Sequence, residues 1–211
     1  MRRAGEVTRD VLQLVRGLVK PGITTLDLEK AAVARLAELG VKAAFKGYHG
    51  YPCALCTSVN SEVVHGIPSQ KRVLKEGDIV SVDFGVVVDG YFGDSAITVP
   101  VGAVDADVAR LLAVTEKSLH AGIAVVRDFV GHGIGVHMHE DPQVPNFGER
   151  GRGMKLKVGM VIAIEPMVNA GKPEVEVLGD GWTAVAKDGS MSAHFEHTVA
   201  VTATGARVLT E

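Results

Sequence analysis

The chain has 211 residues, 46% hydrophobic and 22% charged, with a formal net charge of −3. That size supports one buried core, and residues 1–211 are expected to form a single domain. The near-neutral balance, with a pI near 6.2 and a mean hydropathy of +0.20, excludes a general attraction to nucleic acid or anionic lipid. No apolar run approaches the ~20 residues that span a bilayer, and the charged start MRRAGEVTRD lacks the apolar stretch of a signal peptide.

In chain order, Val7, Val11, Leu14, Val15 and Leu18 recur at helical spacing and predict a helix over roughly residues 1–19, stopped by Pro21-Gly22. A second helix fits Thr25 to Leu39, with Thr25 as N-cap, Asp27 and Glu29 in the first turn, and Gly40 at its end. A strand is expected at Leu55–Val59, inside YPCALCTSV, and another at Glu62–His65, with a turn at Gly66–Ser69. Cys53 and Cys56 form a CxxC without a second pair or a histidine at finger spacing, which argues against zinc. No helix opens at Cys53 as a thioredoxin-like site requires, so both are read as free thiols in a reducing cytosol.

Residues 78–99 predict a hairpin around Asp89-Gly90. With that pair in the loop, Val88 faces Tyr91, Gly85 faces Asp94 and Asp83 faces Ala96. Asp83 and Asp94 are then diagonal neighbours on one face, their Cα atoms roughly 7–8 Å apart. Strands usually exclude aspartate, and two converging carboxylates repel unless a cation lies between them. The plainer alternative is a solvated edge aspartate beside a turn cap.

After Pro100 a helix fits Ala106 to His120, ending at Gly122. Strands return in VVRDFVGHG, KVGMVIAIEPMV, a hairpin around Trp182, and HFEHTVAVT. Helices followed by strands, twice, imply two related α/β halves around one core. The halves do not match: no counterpart of the second helix comes after Gly122, and about two dozen residues are short by repeat logic.

VGHGIGVHMHEDP holds His132, His137 and His139 but no GxGxxG or Walker lysine, so it is no phosphate loop. Gly131 and Gly133 instead let backbone pack closely around His132. His49, His120 and His137 are read as ordinary histidines, and ERGRGMKLK (149–157) as a solvated basic loop. Glu165 ends an apolar run before Pro166, a costly place for a carboxylate unless an arginine pairs with it or a metal binds it. In AHFEHTVAVT, His194, Glu196 and Thr198 point one way and Phe195, His197 and Val199 the other. If the second face is core, Glu196 faces what His132 and Glu165 face. Two Asp, two Glu and one His suit two divalent cations. Such ions, about 3.5–4 Å apart, can deprotonate a water and stabilise a tetrahedral oxyanion.

The ordered segments VVHGIP, SVDFG, GYFGDSAIT, VGHGIG, MHEDPQVP, AIEPM and FEHT resemble type I methionine aminopeptidase along essentially the whole chain. The resemblance implies a pita-bread fold: two pseudo-symmetric halves with an antiparallel-rich sheet covered by helices, α/β (α+β) in class. No long insertion separates His139 from Glu165, unlike the type II branch, and the short start leaves no room for an extra zinc-binding extension. By resemblance the metal ligands are Asp83, Asp94, His132, Glu165 and Glu196, with Asp94 and Glu196 bridging two ions of manganese, iron, cobalt or zinc. Glu165 is also the implied proton shuttle, His139 the implied partner of the scissile carbonyl, and His65 the contact beyond the cleaved bond. Tyr48, Tyr51, Cys56, Met138 and Trp182 are the implied methionine pocket, and a flexible thioether suits aromatic and sulfur neighbours.

The same resemblance implies a cytoplasmic, monomeric enzyme that removes the initiator methionine from nascent polypeptides with a small second residue. Transient ribosome contact is implied, and neither DNA nor membrane is. This sequence departs from the family pattern in three places. Phe45 stands where relatives often have cysteine, Met138 stands where an aromatic is common, and the stretch at Gly122–Val125 is short. MRRAG resembles the middle of the family's first helix. The rivals are an Xaa-Pro peptidase, which generally carries a large additional N-terminal domain, and a catalytically impaired or purely binding relative.

Overall fold

A computed structural model describes residues 1–121, 126–148 and 153–211. The first helix, α1 (Arg2–Leu18), buries the stripe Ala4, Thr8, Val11, Leu12 and Val15, and ends before Pro21, whose predecessor is disfavoured in helical geometry. Thr24, not the expected Thr25, caps α2 (Thr25–Leu39). Thr24 Oγ1 accepts from the Asp27 N–H, and the Asp27 carboxylate accepts from the Thr24 N–H at 3.1 Å. Asp27 is the residue at the right spacing for that reciprocal box, while the Thr25 hydroxyl donates to the Ser69 carbonyl.

The next strands are β1 (Lys42–Ala43), β2 (Leu55–Val59), β3 (Glu62–Val64), β4 (Ile79–Val88) and β5 (Tyr91–Pro100). Beyond α3 (Ala106–Ala121) come β6 (Gly131–Gly133), β7 (Glu140–Val144), β8 (Val161–Ile164) and β9 (Met167–Asn169). The last are β10 (Val175–Val177), β11 (Ala184–Ala186), β12 (Ser192–His194), β13 (Glu196–Thr202) and β14 (Gly205–Val208). The main sheet runs β1-β4-β5-β13-β8-β6-β7, with β2 also on β4 and β14 on β13; β10-β11-β3 and β12-β9 form two smaller sheets.

One face of β4 packs Val80, Val82, Phe84 and Val86 against Val11, Leu12, Leu28 and Leu36 of α1 and α2. In the second half, Val108, Leu111 and Leu119 of α3 cover Val168, Ala193 and Phe195. The helices α1 and α2 thus take one side of the main sheet and leave the other for chemistry, while α3 covers the small β12-β9 sheet.

The Asp89-Gly90 hairpin has the expected register, with Val88 opposite Tyr91, Gly85 opposite Asp94 and Asp83 opposite Ala96. Elsewhere the strands are shorter than the apolar runs suggest. KVGMVIAIEPMV divides into β8 and β9 at Glu165-Pro166, since proline has no N–H to continue a ladder. HFEHTVAVT divides at Phe195, so that β12 pairs with β9 while β13 joins β5 and β8. His65 leaves β3 with φ at +61°. Within VVRDFVGHG only Gly131–Gly133 is strand, and Val125 lies outside the described residues, as does the whole short stretch 122–125. The strand β7 was not foreseen, because EDPQV has no apolar alternation.

Glu29 ties the helical layer to the site. Its buried carboxylate accepts the N–H groups of Ala54 and Leu55, both at 2.8 Å, fixing the start of β2. Glu29→Ala strands two buried donors and should cost about 2–4 kcal/mol; Glu29→Gln should cost roughly half as much. Chemical denaturation of both variants measures this, and equal losses would show that the acceptor pair is not what matters.

Candidate metal centre and substrate pocket

Directly opposed residues of a sheet share a face, as do residues two apart on a strand. Asp83 on β4 lies opposite Ala96 on β5, and Ala96 lies opposite Glu196 on β13. Two residues along, Thr198 lies opposite Ala163 on β8, and Ala163 lies opposite His132 on β6. Asp94 is two residues from Ala96, and Glu165 two from Ala163. Register alone therefore brings all five expected ligands to one face, spaced by two alanines small enough to leave room between them. Atoms of Asp94, His132 and Glu196 lie within 4.8 Å of one another, and His132 Nε2 is 3.5 Å from Glu165 Oε1.

The backbone around these groups is tied by hydroxyls. Thr198 Oγ1 donates to the Asp94 carbonyl at 2.7 Å and accepts the Asp94 N–H at 3.2 Å. Ser95 Oγ donates to the Glu196 carbonyl. A Cβ on Gly131 would run into the Ala163 carbonyl, and one on Gly133 into the Asp141 carbonyl, so the glycines flanking His132 do permit the close strand approach expected of them. His132 Nδ1 bonds the Gly133 carbonyl at 2.9 Å, which directs Nε2 into the site.

Burial drives the electrostatics. It pushes the carboxyls of Asp83, Glu165 and Glu196 well above the usual range, with mutual repulsion adding to the effect. Asp94 rises to about 7 for the same first reason. Asp83 Oδ1, Asp94 Oδ1 and Glu196 Oε1 are buried with no hydrogen-bond partner among the described residues. Orphaned carboxylate oxygens beside one imidazole are the donor set that divalent cations satisfy, so these residues fit a metal.

Beside this platform is a pocket of about 280 Å³. Every residue expected in the methionine pocket lines it: Tyr48, Tyr51, Cys56, Met138 and Trp182, together with His65 and His139. Phe45 is there as well, its ring so close that a Cβ on Gly85 would touch it. The Tyr51 hydroxyl donates to the carbonyls of Leu55 and Gly66, each at 3.0 Å, and its ring meets Trp182 edge-on. Trp182 sits in the turn between β10 and β11, held by Asp180, which accepts from the N–H groups of Trp182 and Thr183. Burial raises the Cys56 thiol well above its ordinary value, so it acts as an apolar wall. Both cysteines are free, as expected.

Phe129 also lines the pocket and meets the His65 ring at 5.7 Å. It was not foreseen, because its segment reads as a simple strand. Tyr48 OH lies 2.8 Å from His139 Nδ1, a link across 91 residues that no local pattern announces. Burial brings His139 down to about 4, with His132, His65 and His49 adding to it. His137 is solvent-exposed beside Glu140, in keeping with its ordinary reading, and the His120 side chain lies outside the described residues. No helix among the described residues is long and apolar enough to cross a membrane.

The profile of metallopeptidase family M24 matches residues 1–128 and 121–203. The chain is 45% identical to methionine aminopeptidase 1 of Bacillus subtilis, covering all of this chain and 94% of that protein. It is 44% identical to the methionine aminopeptidase of Clostridium acetobutylicum, with the same coverage. The crystal structure of the Thermotoga maritima methionine aminopeptidase superposes with a TM-score of 0.97 at 45% identity, over all of this chain and 95% of that one. A prolidase from Pyrococcus furiosus, 19% identical with a TM-score of 0.75, shares the fold. The alignment with the Bacillus protein extends over 235 residues against 211 here, so relatives carry positions this chain lacks. The profile breaks within 121–128, where the repeat comparison expected a missing helix.

The raised carboxyls give the metal-free protein a pH signature. Folded Asp94 holds its proton up to about pH 7, whereas the unfolded residue releases it near 3.8. The folded state thus binds more protons across that interval, and stability is lost as pH rises through 7. His139 and His194, lowered to about 4 and about 3, act in the opposite sense, as do His65 and His132, also lowered by burial, chiefly below their ordinary value of 6.5. The melting temperature of chelator-treated protein should therefore fall as pH rises from 6.5 through about 7, and fall much less with saturating manganese. A flat or rising profile without metal would contradict the buried-carboxylate account.

Proposed function

The chain belongs to metallopeptidase family M24 as one of its methionine aminopeptidases, and from that membership we propose how its own residues carry out the reaction. The reading rests on one observation: five ligand-type side chains share a sheet face beside an apolar pocket lined by sulfur and aromatic groups. Residues 1–211 act as one catalytic domain, since the ligands come from both halves of the main sheet.

Asp83, Asp94, His132, Glu165 and Glu196 would hold two divalent cations, drawn from manganese, iron, cobalt or zinc. When bound, the cations supply Lewis acidity, making water a nucleophile at neutral pH and polarising the scissile carbonyl. The methionine side chain enters among Tyr48, Tyr51, Cys56, Met138 and Trp182, where a thioether meets soft and aromatic surfaces. His139 donates a hydrogen bond to the carbonyl oxygen as it gains charge. His65 binds the peptide beyond the cleaved bond, its ring steadied by Phe129 and Trp182. Glu165 takes the proton of the attacking water and delivers it to the departing amine. The bond broken joins methionine to a small second residue, because the site must close around the next side chain. The substrates are nascent polypeptide N-termini.

Protein stripped with chelator and resupplied with manganese or cobalt should release methionine from Met-Ala-Ser and leave Met-Lys-Ser intact. Equal release from both peptides would remove the size restriction, and release without metal would remove the metal role. Glu165→Gln should lower kcat by about 10²–10⁴-fold. A kcat near wild type in that variant, measured with metal content confirmed, would falsify the proton assignment.

A further inference from the structure

His132 and His139 lie with ring centroids 4.3 Å apart in a T-shaped contact, yet the reaction asks opposite things of them. A ligand histidine presents a lone pair at Nε2, whereas a donor to the carbonyl oxygen presents an N–H there. A neutral imidazole carries one ring proton, so the partner at Nδ1 decides which nitrogen keeps it. For His132 that partner is the Gly133 carbonyl at 2.9 Å, which can only accept. The proton is therefore on Nδ1, and the Nε2 lone pair is free. For His139 the partner is the Tyr48 hydroxyl at 2.8 Å, and a phenol can donate.

We propose that Tyr48 is a positioning residue: its O–H donates to His139 Nδ1, keeps the ring proton on Nε2, and aims that N–H at the scissile carbonyl. The inference rests on the reading of His139 as the donor to that oxygen. The two adjacent histidines are thus set to opposite tautomers by partners of opposite type. Tyr48 keeps its own proton throughout and transfers none.

The turn around Tyr48 is built to hold it. Gly47, His49 and Gly50 adopt φ of +88°, +47° and +89°, and glycine supplies two of these three at no steric cost. Tyr48 N–H donates to the Phe45 carbonyl, Tyr51 N–H to the Tyr48 carbonyl, and Gly47 N–H to the Tyr51 carbonyl. The His49 ring closes on the Tyr48 ring at 4.4 Å. Among the described residues, the His139 ring has no second hydrogen-bond partner, so the phenol supplies the one hydrogen bond that orients it beside the His132 ring. A wall residue of the methionine pocket would need only the Tyr48 ring; the hydroxyl has this separate task.

The test is Tyr48→Phe, which keeps the ring and removes the donor. Protein with ¹⁵N-labelled histidine rings, loaded with diamagnetic zinc, reports the His139 tautomer by NMR, with His139→Ala identifying its signals. In the unsubstituted protein Nε2 should be the protonated nitrogen and Nδ1 the bare one; in Tyr48→Phe the two forms should mix. In the same variant kcat on Met-Ala-Ser should fall about two- to tenfold, the scale of one hydrogen bond, with KM within about twofold. A proton on Nδ1 in the unsubstituted protein overturns the proposal. So does an unchanged tautomer or an unchanged kcat in Tyr48→Phe, and a rise in KM alone leaves Tyr48 only as pocket wall. Normal turnover by His139→Ala defeats the carbonyl assignment itself, and the proposal with it, whatever the tautomer measurement returns.

Discussion

Four carboxylates on one buried sheet face repel one another, and the structure is organised around making that arrangement tolerable. Asp83, Asp94, Glu165 and Glu196 all carry raised carboxyls because water is excluded from them. No arginine or lysine is paired with any of them among the described residues. Such a cluster is stable when cations supply the missing positive charge, and in their absence protons must do so. The same condition that makes the site costly makes it useful, since charge developing on a substrate there meets little dielectric screening.

Holding the cluster requires a frame that does not relax away from it. The side opposite the ligands is filled by helical side chains, so the strands cannot rotate to hide the carboxylates without uncovering Val80, Phe84 or Leu28. Thr198 clamps the Asp94 backbone from the neighbouring strand. Thr98 does the same for His194, accepting its N–H at 2.9 Å and donating to its carbonyl at 2.7 Å. These hydroxyl ties act on main chain, leaving the carboxylate oxygens themselves free.

Much of this was legible in the sequence, for physical reasons that differ by residue. Asp89-Gly90 demands a tight turn, and from that turn the diagonal placement of Asp83 and Asp94 comes by counting. Glu196 was placed by alternation, which holds within a strand. Alternation failed at strand ends: Pro166 and Phe195 mark where the chain changes sheets, and sheet membership depends on pairing with distant strands that no local pattern encodes. Thr24 is hidden as N-cap because adjacent threonines look alike until the Asp27 spacing is weighed. The roles of Phe129 and Tyr48 depend on contacts with His65 and His139, far along the chain. The methionine pocket is legible only through family resemblance, since nothing in the local pattern of Tyr48 and Tyr51 separates a pocket wall from ordinary packing.

The expected ligands and most of the expected pocket wall do not belong to the same structural layer; Cys56, on β2 opposite Asp83, is the wall residue that shares the sheet. The five carboxylate and imidazole groups stand on or just beyond strands of the main sheet, whereas Trp182 hangs from the small β10-β11-β3 sheet on a turn pinned by Asp180. Tyr48 stands on its own glycine-framed turn. Substitutions in these peripheral pieces can change which side chain is admitted while the metal-binding register stays intact. Selectivity and reactivity can thus be altered separately: a compound that reaches outward to the Trp182 turn and the Phe45 wall engages pieces that can change alone, and one that only chelates engages the register the fold must keep.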